Sequence, residues 1–243
     1  MLTEPSGSLL DLARNAPRVA IERLAPPGTV LVVAPHPDDE TFGCGAALAA
    51  AVAAGRRIAI VLLTDGEGSH SQSVAYSPAR IADLRLRELR SALRHLTGSE
   101  DIAIQRLSQP DGRTGSADLA RLDWSSLERF AREQGTSVIW STWQEDPHCD
   151  HETAAVLAGR LADRLDIPMW SFAVWGRFGD RAVSGLAPQR FEPGDQLDAK
   201  RRAVAAYRSQ TTNLIADDPT GFVMPPALVD HFINAPELFL EHR

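Results

Sequence analysis

Apolar residues along the chain fall into short unbroken runs separated by longer amphipathic stretches. The runs TVLVVA (Thr29–Ala34), RIAIVLLT (Arg57–Thr64), 102–107, SVIWST (137–142) and PMWSFAVW (168–175) have the length and β-branched content of strands buried on both faces. Helices are predicted between and after them, at 46–54, Pro78–Thr97, 119–134, 152–165 and 199–207. The first stops at Gly55 and the third at Gly135, both plausible C-terminal caps. Strands that alternate with helices at this spacing call for an α/β fold with a mostly parallel sheet covered on both faces. Before the first strand, a short helix is expected within 9–24, ended by the breaker Ala25-Pro26-Pro27-Gly28. The stretch 69–77 is polar and reads as a flap or a surface loop, and 176–198 reads as irregular. Pro219, Pro225, Pro226 and Pro236 suggest that 212–243 wraps the surface without a long element. A single domain, 1–243 with its core at about 29–211, accounts for the pattern.

The helix at Pro78–Thr97 carries an anomaly. Ile81, Leu84, Leu89, Ala92, Leu93 and Leu96 share its apolar face, while Arg80, Asp83, Arg87, Arg90 and Arg94 take the opposite one. Arg85 and Glu88 fall inside the apolar arc, where an unpaired charge is strongly destabilising. They form an internal pair that tethers two elements, or Arg85 reaches an oxygen-rich substrate while Glu88 steadies it. Helix geometry favours the first.

Composition narrows the function class. A net charge of −7 argues against a nucleic-acid binder and offers nothing to an anionic membrane. No apolar run is long enough to span a bilayer, and the first residues lack the basic start and continuous apolar core of a leader, so the cytoplasm is the expected location. Cys44 and Cys149 make no disulfide framework; Cys149 reads as a small buried thiol. Nothing in the sequence opposes a homo-oligomer.

The chemistry sits at two strand ends. The first strand runs into Pro35-His36-Pro37-Asp38-Asp39-Glu40, a rigid turn from which Asp39 or Thr41 can cap the next helix. The fourth runs into Glu145-Asp146-Pro147-His148-Cys149-Asp150-His151-Glu152. Parallel strands bring their carboxyl ends to one edge, so the two clusters can meet. Two imidazoles with one carboxylate are the usual set for a catalytic zinc, and imidazole donors favour a transition metal over calcium or magnesium. A surplus carboxylate is then free to act as a base, and a further histidine to stabilise an oxyanion. His70, His95, His231 and His242 have no partners in sequence and read as surface or structural. Lys200, Tyr207 and Gln210 fit core, surface or site equally well.

These two blocks resemble the PIG-L/LmbE-like N-deacetylase family, zinc enzymes that remove acetyl groups from N-acetylglucosamine-type amino sugars. Scattered agreement extends the resemblance to about 29–211: Thr64-Asp65-Gly66-Glu67, Arg85 with Glu88, and Lys200 with Tyr207, Ser209 and Gln210. It implies a Rossmann-like fold and zinc ligands at His36, Asp39 and His151, with iron fitting the same donor types. It also implies Asp38 as general base, His148 as the group that polarises the amide carbonyl, Asp150 as the holder of the His148 imidazole, and Arg85 near the sugar. The family commonly has proline where Cys149 stands. The implied activity is hydrolysis of an N-acetyl or other N-acyl group from an amino sugar or glycoconjugate. The alternatives are an amidase for a larger N-acyl or thiol conjugate and, from another class, an inactive carbohydrate-binding protein.

Overall fold

All six residues of the first strand are buried, which in a sheet requires covering layers on both sides. A computed structural model, describing residues 5–180 and 182–241, supplies them. His242 and the first four residues, read above as part of the chain start, lie outside the described residues. In chain order the elements are α1 (Ser8–Ala13), α2 (Ile21–Leu24), β1 (Thr29–Ala34), α3 (Asp39–Ala53), β2 (Arg57–Thr64), α4 (Pro78–Thr97), β3 (Ala103–Gln109) and α5 (Ser116–Leu119). There follow α6 (Trp124–Gln134), β4 (Thr136–Thr142), α7 (Cys149–Leu165), β5 (Met169–Phe172), β6 (Gln189–Phe191), α8 (Leu197–Ala206), α9 (Arg208–Thr211), α10 (Pro226–Asn234) and β7 (Glu237–Glu241).

The strands form one sheet in the order β3-β2-β1-β4-β5-β7-β6. Neighbours from β3 to β5 are parallel, whereas β7 is antiparallel to both β5 and β6. Alternate residues of β1 and β2 feed two cores. Val30, Val32, Ile58, Ile60 and Leu62 pack with the small residues of α3 and with α4, α8 and α10. Leu31, Val33, Ala59, Val61 and Leu63 pack on α6 and α7. Helix α4 starts on Ser77, whose hydroxyl accepts from the Arg80 amide, with Pro78 in the first turn; it ends at Gly98 with φ 72°, a conformation glycine adopts freely.

The structure departs from the sequence reading in six places, one of them the short strand β6 inside 176–198, a stretch that reads as irregular. The turn at Asp38–Asp39 is already helix: α3 begins at Asp39 rather than 46, and breaks at Cys44 (φ −145°) before resuming. The helix expected in 9–24 is two short pieces, parted at Pro17. That expected at 119–134 starts only at Trp124, as α6, after a turn in which the Asp123 carboxylate caps it; α5 ends at Leu119, where the expected helix begins. The fifth strand is only Met169–Phe172, because Val174 turns the chain away (φ −104°, ψ −86°). Most significantly, the proline-rich tail is not a surface wrap. Pro225 and Pro226 start α10, and the tail returns as β7, which is inserted between β5 and β6. Among the described residues no helix is long and apolar enough to cross a membrane.

Candidate active site

β1 and β4 are parallel neighbours, and the sheet grows from β1 toward β2 on one side and from β4 toward β5 on the other. That reversal opens a crevice at the carboxyl ends of the two strands, the usual place for a site in an open α/β sheet. Both polar clusters open onto it. The β1 cluster leads into the first turn of α3. In the β4 cluster, His148 caps α7, its Nδ1 accepting from the Asp150 amide at 3.2 Å, and His151 sits in the first turn of that helix.

Three imidazoles converge there, with ring centroids 4.9 Å apart for His36 and His148, 5.4 Å for His36 and His151, and 5.2 Å for His148 and His151. Asp39 Oδ2 lies 3.0 Å from His36 Nδ1 and 3.3 Å from His151 Nε2. On its far side, His151 Nδ1 meets Asp146 Oδ2 at 2.9 Å. His36 Nε2 faces Asp150 at 3.0 Å and Asp111 at 3.1 Å. Asp38 is held at φ 148°, a strained backbone for a residue with a side chain, of order 1–3 kcal/mol. Its amide donates to Glu40 Oε2 at 3.1 Å, and its own carboxylate faces Arg85 Nη2 at 3.1 Å. Glu40 in turn accepts from the hydroxyls of Thr41 and Tyr207. Glu40 therefore anchors the strained turn.

Burial pushes Asp38 up to about 7, against the pull of Arg85. Glu40 is likewise raised to about 7 by burial. Burial would raise Asp39 too, but the charges of His151 and His36 outweigh it and hold the carboxyl well below the usual range. The same attraction overcomes burial at His151, whose pKa rises to about 9 through Asp39 and Asp146. His148 moves the other way, lowered by burial and by the two neighbouring imidazoles.

Among the described residues, the imidazole atom of this network without a hydrogen bond is His151 Nε2, 3.3 Å from Asp39 but badly aligned with it; Arg85 Nε is likewise unpaired. An unpaired nitrogen on a fully buried imidazole is a donor that a metal ion would satisfy. His36, Asp39 and His151 each offer a ligand atom within 4.8 Å of the others. Two nitrogens and one oxygen fit zinc, and Asp146 holds the outer nitrogen of His151 as ligand histidines require. An overlapping set, His36, His148 and Asp150, meets the same distance. It fits less well, because the Asp150 carboxylate already accepts from the amides of Gly112 and Thr114 and from the Thr114 hydroxyl.

The structure brings His36, Asp38, Asp39, Arg85, His148, Asp150 and His151 to this crevice, with different partners for some, and leaves Lys200 outside it on Glu237. Arg85 and Glu88 do not form the tether considered above. Arg85 pairs with Asp38 and donates to the carbonyls of Gly66 and Pro37, while Glu88 binds the amide and hydroxyl of Ser209. The Asp150 carboxylate is 3.9 Å from His148 Nδ1 and binds His36 instead; its backbone amide is what holds His148. Cys149 is exposed, contrary to expectation, because it occupies the first turn of α7 on the solvent side. Sequence reasoning missed Asp111 and Asp146. Asp111 follows the end of β3, between Pro110 and Gly112, and so reaches the same sheet edge. Asp146 lay in the second cluster but had no spacing that singled it out.

The crevice opens into a cleft of about 550 Å³, bounded by His36, Asp38, Arg85, Asp111, Trp175 and Phe222 among others. Residues 31–162 match the sequence family described as PIG-L: GlcNAc-PI de-N-acetylase. A relative from Kineococcus radiotolerans, 1D-myo-inositol 2-acetamido-2-deoxy-alpha-D-glucopyranoside deacetylase, is 34% identical over 102 residues. That match spans 41% of this chain but only 27% of the relative. N,N'-diacetylchitobiose deacetylase from Pyrococcus horikoshii has a similar structure, with TM-score 0.62 and 18% identity over 86% of this chain and 78% of that one. So does GalB, the 4-carboxy-2-hydroxymuconate hydratase from Pseudomonas putida KT2440, with TM-score 0.60 and 19% identity over 75% of this chain and 80% of that one. At such identities the likeness is one of fold, and a fold hosts more than one chemistry.

Proposed function

Because the chain belongs to the PIG-L family, matched over residues 31–162, we propose that its cleft hydrolyses the N-acetyl or another N-acyl group of an amino sugar or amino-sugar conjugate. The observation that carries this reading is the unpartnered, buried His151 Nε2 facing Asp39 and His36, beside a carboxylate raised to about 7. In this reading His36, Asp39 and His151 hold Zn²⁺, or Fe²⁺ through the same donors. The chemistry such an ion supplies when bound is polarisation of the amide carbonyl and easier deprotonation of water.

The chain's own residues account for the rest. Asp38 accepts a proton from the attacking water and returns it to the leaving amine; Arg85 on Oδ2 leaves Oδ1 for this transfer. His148 Nδ1 is occupied as an acceptor by the Asp150 amide, so the neutral ring carries its proton on Nε2. That proton is available to the developing oxyanion, and the lowered pKa keeps the ring neutral until it is needed. The Asp150 carboxylate holds the Nε2 side of His36 and so orients one ligand.

The test is acetate and free amine measured together on a panel of N-acetylated amino sugars, before and after chelation. The expected result is equimolar release that chelation abolishes and zinc restores. Turnover without acetate would turn the assignment toward water addition of the hydratase kind, and activity indifferent to chelation would remove the metal from it. A protein that binds the sugars without cleaving them would be the inactive carbohydrate-binding form.

A further inference from the structure

We propose that the cleft takes an amino sugar with an apolar substituent and selects against one bearing phosphate or carboxylate. This rests on the deacetylase reading and names its substrate class.

Size and shape come first. A volume of about 550 Å³ falls within the range of roughly 300–1,000 Å³ that encloses a drug-sized ligand, and exceeds what a lone hexose fills. One side of the cleft is apolar: Phe42 and Met224 at its base are buried, and Trp175 and Phe222 stand partly exposed above them. The Trp175 ring meets Phe222 edge-on at 5.8 Å and Phe232 at 6.5 Å, so it is braced rather than free.

This wall is preformed by two loops locked together. Phe222 donates its amide to the Ser69 carbonyl at 2.7 Å, and Met224 donates its amide to the Gln210 carbonyl at 2.8 Å. Asp218 accepts from the Gln72 amide, and Asp217 from the amides of Val74 and Ala75, each at 2.9 Å. His70 is buried directly beneath Gly221, where even a methyl group would overlap its ring. A wall held this way binds an apolar group without first ordering itself.

Charge supplies the exclusion. The carboxylates lining the cleft are Asp38, Asp39, Asp111 and Asp218. Arg85 is the single Lys or Arg among the described residues that line the cleft, and it is engaged by Asp38 and by the carbonyls of Gly66 and Pro37. One divalent cation on His36, Asp39 and His151 offsets only part of this negative charge. An anionic substituent would find repulsion and no free partner.

The experiment compares kcat/KM of the zinc-loaded protein for N-acetylglucosamine, phenyl N-acetyl-β-glucosaminide, N-hexanoylglucosamine and N-acetylglucosamine 1-phosphate. At least one apolar substrate should exceed N-acetylglucosamine by about ten-fold or more, as burial of a ring or short chain allows. The phosphate ester should fall about ten-fold below it. The better of the two apolar arms says whether the wall receives the aglycone or the acyl chain. Phe222→Ala should shrink the apolar advantage about five-fold or more, with a thermal melt checking that the variant is folded. An advantage absent from both apolar arms, or a phosphate ester cleaved as well as the free sugar, overturns the inference while leaving deacetylation intact. If none of the four is cleaved, deacetylation itself fails. Binding to the metal-free protein still tests the wall, where phenyl β-glucoside should bind about ten-fold tighter than methyl β-glucoside and equal affinities overturn the inference.

Discussion

Asp38 and Asp39 are adjacent and chemically identical, yet their surroundings drive them in opposite directions. Two imidazoles draw Asp39 down, while burial lifts Asp38 to about 7, and the strained φ of 148° is what turns the two carboxyls onto different partners. A carboxylate raised toward neutrality suits a base that must both take and return a proton. Asp38→Asn should therefore lower kcat by roughly 10²–10⁴, the range that such proton transfer contributes. Its zinc content should match that of the parent, since the ligand set in this reading is His36, Asp39 and His151. Parallel measurement of turnover and bound metal separates the two, and a large loss of zinc in this variant would make Asp38 a ligand.

At the scale of elements, the break in α3 is the consequential feature. Leaving the helical conformation at Cys44 frees the Phe42 carbonyl and the amides of Ala46 and Ala47, all inside the core. The tail supplies their partners. Glu237 of β7 accepts from Ala46 at 2.7 Å and from Ala47 at 2.8 Å, and Lys200 of α8 donates to the Phe42 carbonyl at 3.2 Å and to Glu237 at 2.7 Å. Neither side chain is exposed, and burial lowers the Lys200 pKa against the attraction of Glu237. This splice lets the first turn of α3, with Asp39 and Glu40, point into the crevice while the rest of the helix packs on the sheet. Removing one partner of such a buried pair typically destabilises by about 3–5 kcal/mol. Glu237→Ala should show a loss of that order in urea denaturation. Unchanged stability would mean that water or another group serves the broken helix.

For the molecule as a whole, the returning tail makes the two ends of the fold interdependent and introduces a pH sensitivity remote from the crevice. His231 of α10 packs against Phe178 at 5.3 Å and Phe232 at 6.0 Å, and its buried Nε2 has no hydrogen-bond partner among the described residues. Burial, with the charges of Arg177 and Lys200 adding to it, lowers its pKa from 6.5 to about 4. The unfolded chain thus binds the extra proton first as pH falls. Stability from this group is complete above about 6.5 and is lost progressively on acidification toward about 4. His231→Phe should flatten the melting-temperature profile across that window. A profile as steep as the parent's would assign the acid sensitivity to other groups.

Local pattern was enough to make the parallel core and both polar clusters legible. Buried strands read as unbroken β-branched runs, the α4 face follows from its period, and the two clusters that contain His36, Asp39 and His151 follow from where parallel strands end, whereas the choice of those three as ligands came from the family resemblance. The charge anomaly of Arg85 and Glu88 was equally visible, but not their partners, since Asp38 and Ser209 are brought to them by other elements. The same holds for Asp111 and Asp146, which matter through contacts with His36 and His151. The tail was misread because proline content reports on local backbone freedom. Whether a segment becomes a strand inside a sheet depends on the unpaired edges of β5 and β6 that await it. The sequence alone therefore determined the kinds of chemistry present and the edge where they gather. Tertiary structure decided the division of labour among the carboxylates, because each protonation state is set by neighbours that only folding brings within a few ångströms.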